Sequence, residues 1–204
     1  MSVANHRCAF RPIVGGTLIL QSETRQAGTL GMVLTSDGAD RWLLTCLHVL
    51  SRANGSLAAF DGVLQPDQSR GPIASLTTVL FDSSLDCAAV RVTVGASALV
   101  LGIGELAAVK RPAVGMAVMK AGWQTGVSEG VVEQVNGTTV VIRSRQDFPS
   151  DYLLATTGDS GSVWVESATR APVALHTRES AVGPHRAFAT SLDAVVTALR
   201  LRQL

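Results

Sequence analysis

The chain has 204 residues, which is enough for one large domain or two small domains with substantial hydrophobic cores. Hydrophobic residues make up 47% of the chain and charged residues only 16%, so the composition indicates a globular protein and excludes a disordered one. The formal net charge is +1, and no run of Lys and Arg is long enough to form a basic patch. This charge pattern argues against nucleic acid as a partner.

The N-terminal segment and the cysteines bear on the cellular compartment. MSVANHRCAFRPIVGG (1–16) lacks the apolar core of a signal peptide, and no segment approaches the roughly 18 uninterrupted apolar residues of a membrane span. Three cysteines, Cys8, Cys46 and Cys87, cannot all pair within one chain and are typical of free thiols in a reducing compartment. We therefore expect a cytoplasmic protein with no membrane partner; a chain trimmed of its leader is the alternative.

Short apolar and β-branched runs, separated by Gly, Pro, Asn and Asp, dominate the first nine-tenths of the chain. These runs are 13–20, 28–35, 41–50, 77–81, 87–94, 115–122, 129–135, 138–144, 162–166 and 172–177. An Asp-Gly turn signal lies between the second and third runs, and Asn136-Gly137 predicts a tight hairpin. Many short strands with such turns are typical of a β-sandwich or of β-barrels.

Only at the C-terminal end of the chain does the spacing of apolar residues change from that of a strand to that of a helix. Apolar residues recur there at helical spacing, at Leu192, Val195, Val196 and Leu199. Thr190 or Ser191 is a plausible N-cap, and Asp193 would lie in the first turn. The sequence therefore predicts a C-terminal helix on an all-β body.

Three polar residues stand out against this apolar background. TTGDSGSVW (156–164) places Ser160 between two glycines and beside an aspartate, which fits either a nucleophile or a polar turn. His48 follows an apolar run in LLTCLHVL, where a half-buried structural histidine is the alternative. Asp86 begins the run in SSLDCAAVRV, where a strand cap is the alternative. Together they give the chain order His, Asp, Ser, which favours a catalytic triad.

These residues lie in motifs that resemble those of the trypsin-like (chymotrypsin-fold) serine peptidases of bacterial type. LTCLHVL is similar to that family's T-A-x-H motif, LDCAAVRV to its D-x-A motif, and TTGDSGS to its G-D-S-G motif. KAGWQTGVSEGVV is similar to the K/R-x-G-x-x-T-G segment of bacterial members. The resemblance runs from about Pro12 to the C-terminal helix.

The resemblance implies an all-β fold of two six-stranded antiparallel β-barrels followed by an α-helix, together forming one peptidase domain. We place the first barrel at residues 1–105, with His48 and Asp86, and the second at 106–188, with Ser160. The C-terminal helix would occupy 189–204. The active site would lie in the cleft between the barrels.

The resemblance also implies the chemistry, which is hydrolysis of peptide bonds in a protein or peptide substrate through an acyl-enzyme. Ser160 would attack the carbonyl, His48 would take its proton, and Asp86 would orient the imidazole. The backbone N–H groups of Gly158 and Ser160 would form the oxyanion hole. We expect no cofactor and no metal, because the four His and three Cys residues lack zinc-ligand spacing.

Asp159 precedes the nucleophile and needs a cationic partner. In zymogen-type relatives this partner is a new N-terminal amine, and RPIVGG (11–16) resembles such an activation site. However, cleavage would have to follow Pro12, so a first barrel strand is the favoured interpretation. Bacterial relatives use an internal cation instead, and Lys120 occupies that position in KAGWQTG. We therefore predict a Lys120–Asp159 ion pair that supports the oxyanion loop; a solvated surface lysine is the alternative.

The resemblance assigns five residues to the triad's surroundings and the substrate pocket. Thr177 matches a residue that hydrogen-bonds the catalytic aspartate. Leu154 and Ala155 would form the base of the primary pocket, and the lack of an acidic residue there argues against Arg or Lys preference. His176 matches the pocket histidine of glutamyl endopeptidases, with a structural role as the alternative. Glu179 replaces a usual glycine and would narrow or redirect the cleft.

Two other functions remain as alternatives to a free-standing serine endopeptidase. The first is a protease-fold binding or regulatory module that is held inactive. The second is a cytoplasmic effector protease that a regulatory protein partner activates. Cys46 and Cys87 lie next to the motif residues, and we expect both to be buried thiols under the active site.

Overall fold

The structure is a computed structural model that describes residues 3–59, 61–145, 147–149, 151–180 and 186–204. Its first-half strands are β1 (Ile13–Gly15), β2 (Thr17–Gln21), β3 (Ala27–Leu30), β4 (Met32–Thr35), β5 (Trp42–Cys46), β6 (Gly62–Leu64), β7 (Pro72–Asp82), β8 (Cys87–Val92), β9 (Ala96–Val100) and β10 (Gly104–Glu105). Its later strands are β11 (Ala117–Gly122), β12 (Gly126–Asn136), β13 (Thr139–Arg143), β14 (Val163–Glu166), β15 (Pro172–Glu179), β16 (Arg186–Ser191) and β17 (Arg202–Gln203). The α-helices are α1 (Leu47–Leu50) and α2 (Leu192–Leu199), and short 3-10 helices cover Val3–Arg7 and Gln68–Arg70.

The second half of the chain forms a closed six-stranded barrel. Its strands follow the order β11-β12-β13-β16-β15-β14, and all neighbours are antiparallel. The hairpin predicted at Asn136-Gly137 is confirmed: Asn136 pairs with Thr139, and Gly137 takes a left-handed φ of 58° in the turn between β12 and β13.

Seven strands of the first half and the C-terminal strand β17 form a curled half-barrel in the order β17-β4-β5-β8-β7-β6-β2-β3. A three-stranded sheet, β1-β9-β10, lies beside it. The Asp-Gly turn signal correctly predicted the β4–β5 hairpin, in which Met32 pairs with Leu44. The predicted two-barrel, all-β fold with a C-terminal helix is therefore confirmed. The first barrel stays open because its edge strands β3 and β17 do not pair with each other among the described residues.

The predicted C-terminal helix is present as α2. Leu192, Val195 and Leu199 are buried, as their helical spacing predicts. Ser191 precedes the helix, but its hydroxyl donates to the Asp193 carboxylate and not to a backbone N–H. After the helix, β17 returns to pair with β4 of the first half, so the chain end joins the two halves. The proposed domain boundaries at 105/106 and 188/189 stay predictions.

The hydrophobic core runs between the two halves. One buried cluster contains strands of the first half together with Val163, Val165 and Leu175 of the closed barrel. A second cluster fills the interior of that barrel. Burial of one such aliphatic side chain contributes about 1.5–3 kcal/mol, so the shared cluster holds the two halves together. No helix in the described part of the chain is long and apolar enough to cross a membrane.

Candidate active site

His48 lies in the single turn of α1, directly after the buried strand β5. The next two residues, Val49 and Leu50, are fully buried and anchor this turn, while the His48 side chain is 42% exposed. Asp86 lies just before β8 with a left-handed φ of 48°. This backbone turn brings the Asp86 carboxylate against α1.

The imidazole of His48 and the carboxylate of Asp86 form a close pair. Nδ1 of His48 lies 2.6 Å from Oδ2 of Asp86, and the backbone N–H of His48 donates to Oδ1 at 3.0 Å. Because an ionised carboxylate can only accept, Nδ1 carries the proton of the neutral ring. Nε2 is then the free lone pair, which is the tautomer that a general base requires.

Ser160 lies in a tight loop whose two glycines have left-handed backbone, with φ of 103° at Gly158 and 93° at Gly161. A side chain at Gly161 would overlap the Thr45 hydroxyl and the Thr29 carbonyl, so only glycine fits there. The carbonyl of Ser160 accepts the backbone N–H of Thr29 at 2.8 Å. The loop is thereby tied to β3 across the boundary between the two halves.

The Ser160 hydroxyl donates to the carbonyl of Thr177 at 3.0 Å. Among the described residues, no hydrogen bond joins it to His48. The predicted bond from Thr177 to Asp86 is also absent, because the Thr177 hydroxyl donates to the Phe188 carbonyl at 3.1 Å. The physical reason is a bulge in β15 between His176 and Arg178, which leaves Thr177 out of the regular pairing with β16.

The predicted oxyanion-hole groups face the same cleft. Gly158 and Ser160 both line it, and neither backbone N–H has an acceptor in the described part of the chain. The Gly158 carbonyl is held by the Thr29 hydroxyl at 3.1 Å, and the Asp159 N–H donates to Thr156 at 3.0 Å. Two free donors are therefore fixed beside the serine, where they could bind a developing oxyanion.

Lys120 and Asp159 lie together beneath this loop. Nζ of Lys120 is 2.7 Å from Oδ2 of Asp159, and neither side chain has any solvent exposure. The Thr125 hydroxyl contacts both groups, and the N–H groups of Gln124 and Thr125 donate to Oδ1 of Asp159. Burial raises the pKa of Asp159, but the Lys120 charge and the hydrogen bonds from Lys120 and Thr125 outweigh it and lower the pKa below its usual value.

Three residues expected in the primary pocket are buried away from the cleft. Leu154 and Ala155 pack in the barrel core, and His176 has no solvent exposure. The His176 ring meets Trp164 edge-on, with 6.1 Å between centroids, and both ring nitrogens lack hydrogen-bond partners in the described part. Burial, with the nearby Lys120 charge, lowers the pKa of His176 to about 3, so the ring is neutral near pH 7. None of the three lines the cleft beside Ser160.

The cleft beside Ser160 has a volume of ≈540 Å³. His48, Asp86 and Ser160 all line it, and Arg178 and Glu179 of β15 form part of one wall. The remaining lining residues are Gln26, Ala27, Ser84, Leu85, Thr157, Gly158, Thr177 and Thr190. The structure therefore brings the three predicted triad residues to one solvent-accessible cleft.

No protein-family model and no curated protein matches the chain. Solved structures do match over nearly the whole chain. A glutamic acid-specific serine protease is 20% identical, with a TM-score of 0.71 over 94% of this chain and 100% of that one. Cellulomonas bogoriensis chymotrypsin is 17% identical, with a TM-score of 0.68, and Thermobifida fusca Protease A is 16% identical, with 0.65. Each of these two matches covers 94% of this chain and 98% of the other.

The chain has the chymotrypsin fold. Bacterial serine proteases of this fold are thus its structural neighbours, at 14–20% identity. At that identity, the likeness establishes the fold, and the chemistry has to be argued from the side chains themselves.

Within the chymotrypsin fold, one contact across the cleft was not anticipated from the sequence. The Thr157 hydroxyl donates to Oε1 of Glu179 at 2.8 Å. Thr157 directly precedes Gly158, and Glu179 ends β15. Glu179 stands out in the sequence because it replaces the family glycine, whereas no sequence pattern marks Thr157 as its partner. The bridge links the two walls of the cleft beside Ser160.

Cys46 and Cys87 are both buried and free, as expected. Ligand atoms of Cys46, His48 and Asp86 all lie within 4.8 Å of one another, which is the one potential metal-binding group found among the described residues. However, the Cys46 thiol donates to the His176 carbonyl, and burial raises the pKa of this thiol well above its usual value. The Cys46 side chain has no solvent exposure and is hydrogen-bonded to the His176 carbonyl, so it packs as a small hydrophobic residue.

Proposed function

We propose that the chain is a serine endopeptidase that hydrolyses peptide bonds through an acyl-enzyme. The observation that carries the proposal is the 2.6 Å pair of His48 and Asp86 in the same cleft as Ser160, within a chymotrypsin fold. The pair fixes the imidazole tautomer whose Nε2 can accept a proton. A protein or peptide is the substrate class.

In this mechanism, the Ser160 hydroxyl first leaves the Thr177 carbonyl and donates to Nε2 of His48. Ser160 Oγ then attacks the substrate carbonyl as His48 takes its proton, while Asp86 stabilises the imidazolium. The tetrahedral oxyanion binds the N–H groups of Gly158 and Ser160, each worth about 3 kcal/mol in the transition state. His48 then gives its proton to the leaving amine, and water, activated by His48, hydrolyses the acyl-enzyme.

Lys120 and Asp159 support the oxyanion loop in the proposed enzyme. The buried carboxylate of Asp159 accepts the N–H of Thr156 and those of Gln124 and Thr125, so it connects the start of the loop to the segment after β11. Lys120 supplies the positive charge that lets this carboxylate stay ionised away from water. No proteolytic activation at RPIVGG is then needed.

The proposal does not include glutamate preference. The similar glutamic acid-specific protease uses a histidine triad in substrate binding. In this chain His176 is fully buried, its pKa is about 3, and it lies outside the cleft lining, so it offers no positive charge to a substrate carboxylate. We infer instead that Glu179 and Thr157 shape the primary pocket.

A protease-fold module that is held inactive is the second candidate, and two contacts favour it. The Ser160 hydroxyl is engaged by the Thr177 carbonyl, and the Thr157–Glu179 bridge spans the cleft. A regulatory protein that released both contacts would convert this module into the partner-activated protease of the third candidate.

Hydrolysis of a peptide library, read by mass spectrometry, tests the proposed function. Wild-type protein and Ser162→Ala should both cleave the library, while Ser160→Ala should not. Ser162 is a suitable control because it is a fully buried serine two residues away whose hydroxyl has no partner in the described part. Cleavage that persists in Ser160→Ala, or no cleavage by the wild type under conditions in which trypsin cleaves, would overturn the proposed endopeptidase.

A further inference from the structure

We propose that Arg7 is a positioning residue for the oxyanion loop and acts on it through Trp123. The inference rests on the proposed function but concerns a part of the chain outside the triad, the pocket and the Lys120–Asp159 pair. It starts from the 3-10 helix Val3–Arg7, which lies against the segment after β11.

The first link is the contact between Arg7 and this segment. The Arg7 guanidinium stacks over the Trp123 ring, with its carbon 4.8 Å from the ring centroid. Its Nη2 donates to the side-chain oxygen of Gln124 at 3.0 Å. A guanidinium over an indole face is attracted by the ring quadrupole, and the hydrogen bond to Gln124 fixes its orientation. Arg7 therefore holds two consecutive residues, although it is separated from them by more than half of the chain.

The second link is the contact between Trp123 and Gly158. A side chain at Gly158 would lie 2.7 Å from Nε1 of the Trp123 indole and 2.9 Å from two of its ring carbons. The glycine backbone thus rests directly on the indole. The Thr29 hydroxyl accepts the backbone N–H of Trp123 at 3.2 Å and donates to the Gly158 carbonyl at 3.1 Å, which ties the same two residues together a second time.

The third link anchors the 3-10 helix itself. His6 is fully buried, and its Nδ1 donates to the Gly16 carbonyl at 2.7 Å. Gly16 in turn packs against Ala121 of β11, where a side chain at Gly16 would lie 2.9 Å from the Ala121 methyl group. The 3-10 helix that carries Arg7 is therefore fixed in place, and Trp123 is held between the Arg7 guanidinium and Gly158.

These links give Arg7 a specific kinetic role. The N–H of Gly158 is a proposed oxyanion donor. Its hydrogen bond to the substrate oxygen is stronger in the transition state than in the ground state. Loosening Trp123 should therefore lower kcat and leave KM unchanged. Without Arg7, one cation–π contact and one hydrogen bond are lost, and kcat should fall by about 2- to 5-fold.

The test compares wild-type protein with Arg7→Ala, Arg7→Lys and the control Arg145→Ala. Arg145 also stacks on an aromatic ring, with its guanidinium carbon 5.6 Å from the Phe148 centroid, but it does not line the cleft. Arg7→Ala should lower kcat, leave KM unchanged, and raise the inhibition constant of a peptide aldehyde by the same factor as kcat falls. Arg7→Lys, which keeps a cation over the indole, should lie between Arg7→Ala and wild type, and Arg145→Ala should match wild type.

A readout that needs no activity separates this proposal from the proposed function. In ¹⁵N-labelled protein, the Gly158 amide and the Trp123 indole N–H signals should shift in Arg7→Ala and stay in place in Arg145→Ala. Unshifted signals, or an unchanged kcat in an active enzyme, would overturn the role of Arg7. An inactive wild type would contradict the endopeptidase alone, because the two signals would still decide whether Arg7 positions the loop.

Discussion

Nζ of Lys120 lies 2.7 Å from Oδ2 of Asp159, and both side chains are completely shielded from solvent. Asp159 is also the residue directly before Ser160, so the buried pair holds the loop that carries the proposed nucleophile. Removing one member of such a pair leaves the other charge buried without compensation, which costs far more than loss of a surface ion pair.

Replacing Lys120 with Met should therefore lower the free energy of unfolding by about 3–5 kcal/mol. In the proposed enzyme, kcat should fall as well, because Asp159 would no longer be held beneath the oxyanion loop. Lys110→Met is the matched control: Lys110 pairs with Glu166 at 2.8 Å but is 50% exposed. Its removal should cost at most about 1 kcal/mol. Equal losses for the two variants in urea unfolding would contradict the structural role of the buried pair.

The buried His176 should make the protein sensitive to acid below neutral pH. Burial, with the nearby Lys120 charge, lowers the pKa of His176 from 6.5 to about 3 in the folded state, so only the unfolded chain binds its proton between these values. Stability should therefore fall as the pH drops from 6.5 towards 3, by about 1.4 kcal/mol per pH unit from this group. In His176→Leu that contribution should be missing. If the unfolding free energies of wild type and His176→Leu differ by the same amount at every pH in this range, the prediction is wrong.

The Thr157–Glu179 bridge should limit access of large side chains to the primary pocket. Glu179→Gly removes the side chain from the cleft and should raise kcat/KM for peptides with a large residue at the cleaved bond by about 3- to 10-fold. Thr157→Val keeps the shape of the threonine but removes the hydroxyl that donates at 2.8 Å, and it should give a smaller increase. Profiles of cleavage against side-chain size provide the measurement. A fall in kcat/KM for large residues in both variants would show that the bridge assists binding.

Much of the fold could be predicted from local sequence signals. Asn136-Gly137 has the backbone freedom that a two-residue turn needs, and the spacing of Leu192, Val195 and Leu199 defines one buried helix face. The motif order also indicated which three residues would meet in the cleft. His48, Asp86 and Ser160 each lie beside a short apolar strand. Burial fixes how these strands pair, so the apolar residues next to the three polar ones indicate where they lie in the fold.

Other features depend on contacts between distant segments and could not be predicted. The direction of the Thr177 hydroxyl follows from a bulge in β15, which the sequence does not indicate. The His176 side chain points into the interior, where its ring packs edge-on against Trp164. The stacking of Arg7 on Trp123 joins residues more than one hundred positions apart, and no local pattern marks either residue as the partner of the other.

Covalent labelling with a fluorophosphonate, mapped by peptide mass spectrometry, tests whether His48 activates Ser160. The reagent reacts with a serine that a neighbouring base has activated, and it requires no knowledge of the substrate. We expect one adduct on Ser160 of the wild-type protein, and none in Ser160→Ala or in His48→Ala. An unlabelled wild-type protein, beside a trypsin control that reacts fully, would contradict an assembled triad, as would an adduct on any other serine.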